Sequence, residues 1–77
     1  MTRTTRDQFT TLHHGDRAVI LSQGTRGVRA TAYVNVVGLD ELGRPDGDGV
    51  VPTPYFSGRR WTTLAGAEKA VLPWLAS

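Results

Sequence analysis

Val28-Arg29-Ala30-Thr31-Ala32-Tyr33-Val34-Asn35-Val36-Val37 is the most regular stretch of the chain. Val28, Ala30, Ala32, Val34 and Val36 fall on one side; Arg29, Thr31, Tyr33, Asn35 and Val37 fall on the other. A period of two is the pattern of a strand with one buried and one wet face. A slip of one residue would exchange the two faces, so burial fixes the pairing register.

Upstream, Arg17 to Gln23 (RAVILSQ) is apolar and rich in β-branched residues, as in a strand. Gly24-Thr25-Arg26-Gly27 then supplies a hairpin connection. Downstream, Gly38 to Gly49 carries four glycines, one proline and four acids. A loop of that length in a compact domain suggests a mobile or functional tip. Val50 to Ser57 (VVPTPYFS) is expected as a third strand. Pro52 and Pro54 remove donors along one side, which confines it to a sheet edge and discourages edge-to-edge aggregation. Thr62 or Thr63 can cap a closing helix, whose Leu64, Ala67, Val71, Trp74 and Leu75 share a face. Pro73 falls on the opposite, wet face and should perturb the last turn. At the N-terminus, Thr5-Arg6-Asp7-Gln8 has capping-box spacing. It predicts a short helix over Arg6 to His14, ended by Gly15; the rival is an extended arm with Phe9 pinned to the core.

The expected fold is α+β: a three-stranded antiparallel sheet packed against a C-terminal helix, with a possible short N-terminal helix. Residues 1–16 form the arm or helix, and residues 17–77 a single small domain. The expected core is Ile20, Val34, Val36, Phe56, Leu64, Val71, Trp74 and Leu75.

Seventy-seven residues bound this reading. A chain of this size buries only about 60% of its unfolded surface. With 39% hydrophobic and 21% charged residues it is neither disordered nor membrane-like in composition. No run approaches the roughly 20 apolar residues of a membrane span, and Met1 to Gln8 lacks the apolar centre of a signal peptide. There is no cysteine, so disulfides, thiolate metal sites and cysteine nucleophiles are excluded. A cytoplasmic location is expected. The net charge of +2 is unremarkable, but eight of the nine cations are arginine. That bias fits either GC-rich coding or forked phosphate contacts.

The polar side of the long strand carries Arg29, Thr31, Tyr33 and Asn35, with Arg17 opening the neighbouring strand and Arg59 and Arg60 following the third. A two-stranded ribbon fits the DNA major groove, where arginine, asparagine and threonine address base edges. Arg3 and Arg6 could add phosphate contacts. A solvated sheet face would look similar, since threonine and tyrosine favour strands.

Other constellations are weaker. His13-His14 are adjacent and lack ligand spacing. Asp46-Gly47-Asp48-Gly49 starts like a calcium loop but places Val50 and Ser57 where ligands belong. Ser22, Ser57 and Ser77 lack a nucleophile-elbow context, so catalysis is not expected. Trp61 beside Arg59-Arg60 suits either an interface anchor or a half-buried helix entrance.

Residues 28–76 resemble the arm-type, AP2-like DNA-binding domains of tyrosine recombinases and integrases. The resemblance is carried by Val28 to Val34, Gly43-Arg44, Phe56 in the third strand, and Thr63 ahead of Ala67, Ala70, Trp74 and Leu75. It implies three strands, a closing helix and a sheet face that binds the major groove, with Arg29, Thr31 and Tyr33 as contacts. The chain departs from the pattern in its long Gly38–Gly49 loop, in Pro52 and Pro54, and in sparse basic residues. The expected function is a non-catalytic, sheet-face module for double-stranded DNA, without cofactor, metal or membrane association. The alternative is a small phage or mobile-element protein that binds and modulates a host protein.

Overall fold

The computed structural model describes all 77 residues. Seven strands and one helix follow in order: β1 (Thr2–Arg6), β2 (Phe9–His14), β3 (Arg17–Gly24), β4 (Gly27–Val34), β5 (Gly38–Leu39), β6 (Pro45–Asp46), β7 (Val51–Thr53) and α1 (Leu64–Ala76). The α+β class and the antiparallel sheet with a C-terminal helix are as expected. The main sheet, however, has five strands in the order β1-β2-β3-β4-β7, and β5 pairs with β6 in a separate two-stranded sheet.

The two additional strands replace the expected N-terminal helix or arm. Thr2, Thr4, Thr5, Thr10 and Thr11 are β-branched and stiff, which favours strands over a helix. Asp7, at φ 54, takes the left-handed corner between β1 and β2, a conformation that aspartate tolerates. Gly15, at φ 60, turns β2 into β3. Phe9 is not pinned to the core; it is 44% exposed.

Register sorts the side chains. Leu12 opposes Val19, Val19 opposes Ala32, and Leu21 opposes Ala30. These residues and Val28 meet Ala67, Val71 and Leu75 of α1, with Phe56 closing the core. The core differs from expectation: Ile20 lies on the opposite face, Val34, Leu64 and Trp74 are only half-buried, and Val36 is buried outside the main cluster. Leu64 and Trp74 pack at the rim. Phe56 stands edge-on to Tyr55, Trp61 and Trp74, with ring centroids 4.7, 6.1 and 5.9 Å away.

Thr63 caps the helix, its hydroxyl accepting from the Gly66 amide at 3.1 Å. Pro73 is exposed and lies within the helix, which runs through it. No helix is long and apolar enough to cross a membrane.

Two strands are shorter than the sequence suggests. β4 ends at Val34 because Asn35, at φ 60, leaves the extended region. β7 keeps only Val51–Thr53 of the expected Val50–Ser57; residues 54–60 arch away from the sheet. It does lie at the edge, as its prolines require. Past the arch, Trp61 returns to β4: the Val28 amide donates to its carbonyl at 2.7 Å, and its amide donates to the Val28 carbonyl at 3.0 Å.

Candidate nucleic-acid interface

The face turned away from α1 is only partly open. Register places Thr4, Thr11, Ile20, Thr31 and Tyr33 on it. The segment between β4 and β7 folds over one side of this face. Gly43 is buried there, so close that a Cβ would come within 3.1 Å of Thr4 Cγ2. Thr11 and Ala18 are buried although they face away from the helix. The expected uncovered sheet face is therefore corrected to a cleft under a roof.

Asp40 organises the roof. Its carboxylate accepts from the Leu42 and Arg44 amides, each at 2.9 Å, and from Arg44 Nε at 3.1 Å. The Arg44 backbone amide above all, with help from the Leu42 amide and the Arg44 side chain, holds the Asp40 carboxyl below its usual range. A carboxylate depressed by folding stabilises above its unfolded pKa and loses that contribution as pH falls through the folded value. Acidification below the ordinary value of 3.8 is thus expected to loosen the roof before the sheet. Amide exchange at Leu42 and Arg44, followed from neutral to acidic pH, checks this; unchanged protection would refute it.

The expected contact residues separate into two groups. Arg17 does not face the same side as Arg29. Its guanidinium donates to the Trp74 carbonyl and Ser77 Oγ, both at 2.6 Å, and lies 4.7 Å from the Trp74 ring centroid. It closes the C-terminal end of α1, where a cation is favoured by the helix dipole. Asn35 is also structural, its side-chain amide donating to the Gly49 carbonyl at 3.1 Å and tying off the roof segment. Arg3 is held by Glu68 at 2.6 Å, a contact that raises its pKa.

Arg29, Thr31, Arg59 and Arg60 converge. They line one concavity of about 510 Å³ under the 54–60 arch, with no carboxylate in its wall. The Arg59 guanidinium carbon lies 5.1 Å from the Trp61 ring centroid and 5.8 Å from that of Phe56, so the cation is held against two ring faces with no carboxylate paired to it. None of the three arginines is in an ion pair. Ala30 lies between Val28, bridged to Trp61, and Ala32, paired with Thr53. Strand alternation turns its N–H and C=O toward this pocket, where the sheet edge offers no partner.

Arg29 and Arg60 also line a smaller hollow with Arg26 at the β3–β4 turn. Thr31 belongs as well to a third concavity of about 410 Å³, bounded by Phe9, Ile20, Tyr33 and the roof residues Leu42 and Arg44. The three hollows share walls and form one track around the outer side of β4. Phe9, Leu42 and Arg26 were not among the expected contact residues. Their signal lies in position: a β-turn tip and two apolar residues in a polar context.

No protein-family model, curated protein or solved structure matches the chain.

Proposed function

We propose that this chain is a small, non-catalytic DNA-binding module that grips the phosphate backbone along the track beside β4. One observation carries the reading: three unpaired arginines, Arg29, Arg59 and Arg60, line a single pocket without a carboxylate. Unpaired cations held together repel one another and attract a polyanion. Arginine forks onto phosphate oxygens with two parallel hydrogen bonds. The unpartnered Ala30 amide can donate to a third oxygen, and Thr31 and Ser57 supply hydroxyls at the pocket wall. Phosphate contacts of this kind position a protein without specifying sequence. The resemblance of residues 28–76 to arm-type domains points the same way, through Arg29, Thr31 and Tyr33. The roof changes the mode: the sheet does not lie flat in a groove, and the contacts shift toward the β3–β4 turn and the arch.

The triple variant Arg29→Ala, Arg59→Ala, Arg60→Ala is expected to keep its circular-dichroism spectrum and lose at least about tenfold in DNA affinity at low salt. Fluorescence anisotropy with a labelled 15-base-pair duplex measures it. A folded triple variant that binds as the parent does would refute the proposal.

A further inference from the structure

The concavity under the roof differs in kind from the arginine pocket beside it. Phe9 and Leu42 stand at 44% and 43% exposure, and both line this cleft with Ile20 and Tyr33. Large apolar side chains left half in water within a concavity mark a binding surface rather than a core. Arg6 and Arg44 lie at the same cleft, against Asp7 as its sole carboxylate. Arg44 is already engaged by Asp40, whereas Arg6 is in no ion pair. The cleft therefore offers an apolar, aromatic interior with a free guanidinium beside it.

We infer that this cleft takes an unpaired nucleobase, stacked on Phe9 or Tyr33, with the adjoining phosphates on Arg6 and Arg29. The inference rests on the DNA-binding reading and specifies its form: a single-stranded segment. Three features support it. The volume, about 410 Å³, lies in the range of small-ligand sites, about 300–1,000 Å³. Thr31 is common to this cleft and to the arginine pocket, so a strand leaving the cleft passes directly to Arg29, Arg59 and Arg60. The roof narrows the sheet face, and a base still inside a duplex must first be unstacked and unpaired to enter, at a cost of a few kcal/mol. A single strand has no such cost. Base stacking on exposed aromatics beside cations is the recurrent device of single-strand binders. Ser22 and Thr31 line the same cleft and offer hydroxyls to the base edge.

The test uses the whole chain and two labelled probes at equal salt, a 15-nucleotide oligothymidylate and a 15-base-pair duplex. Phe9→Ala is expected to weaken oligothymidylate binding roughly 5- to 150-fold, the range of one lost base stack, and to leave duplex affinity nearly unchanged. Leu42→Glu, which puts a carboxylate at the cleft, is expected to act in the same direction. Both sites are well exposed, and circular dichroism verifies the fold. If both variants bind oligothymidylate as the parent does, while the triple arginine variant weakens both probes, the cleft assignment falls and the DNA reading stands. If the parent binds neither probe, both fall.

Discussion

Phe56→Ala is expected to remove about 3–5 kcal/mol of stability, a large share of what a domain of this length holds. Phe56 is 1% exposed and contacts three aromatic rings, those of Tyr55, Trp61 and Trp74. Truncating a buried phenylalanine costs about 3–5 kcal/mol, from lost transfer energy and the cavity left behind. A domain of this length has on the order of 4–12 kcal/mol in all. The arch that carries Phe56 is joined to the sheet by β7 and the Trp61 bridge, and Phe56 itself anchors it in the core. Thermal and urea denaturation check the loss. A midpoint within a few degrees of the parent would show that the arch does not depend on Phe56. Loss of the arch would also scatter Arg59 and Arg60, so the fold and the proposed site share this residue.

Gly27→Ala comes second. Gly27 has φ 114, a conformation that side-chain-bearing residues rarely adopt, and a Cβ there would come 2.5 Å from the Trp61 carbonyl oxygen. Backbone strain of this kind costs about 1–3 kcal/mol, and the clash adds to it because the opposing atom is main chain. Trp61 must move, which breaks its paired hydrogen bonds with Val28. The expected outcome is a loss of about 3 kcal/mol, near the upper end of that range, with a change in the near-ultraviolet signal of Trp61. A variant as stable as the parent, with unchanged tryptophan signals, would contradict this packing.

How far the sequence could be read follows from these same residues. β4 was legible because Val28, Ala30 and Ala32 face the helix while Arg29 and Thr31 face out, a full alternation. The helix was legible for the same reason at a period of 3.6, with Thr63 as its cap. β3 was legible as a strand but not in its facing. Ala18, Val19 and Leu21 are all buried, so no alternation reveals which side Arg17 takes. The N-terminal strands were hidden by a coincidence: the threonine-rich segment fits capping-box spacing, and Phe9, Leu12 and His13 also fit a helical face. The competing signal, stiff β-branched threonines around an aspartate turn, won because pairing with β3 satisfies the backbone.

The roof was illegible as structure, since strands of two residues carry no period. Leu39 and Leu42 amid acidic residues were its trace. For the candidate site, Arg29, Thr31, Tyr33, Arg59 and Arg60 could be named from the chain, but their division between two adjoining hollows could not. That division depends on the arch at residues 54–60, which a sequence pattern with two prolines describes only as an edge.

The salt dependence of DNA binding decides whether the arginines beside β4 hold phosphates. Anisotropy titrations of the parent chain across several salt concentrations give the slope of log affinity against log salt. Four phosphate contacts, from Arg26, Arg29, Arg59 and Arg60, predict a slope of about −3.6 on duplex; on a single strand, where Arg6 joins them, five contacts predict about −3.5. The triple arginine variant should flatten the slope by about one for each contact removed. Absence of binding at low salt, or binding with a slope near zero, would contradict the account.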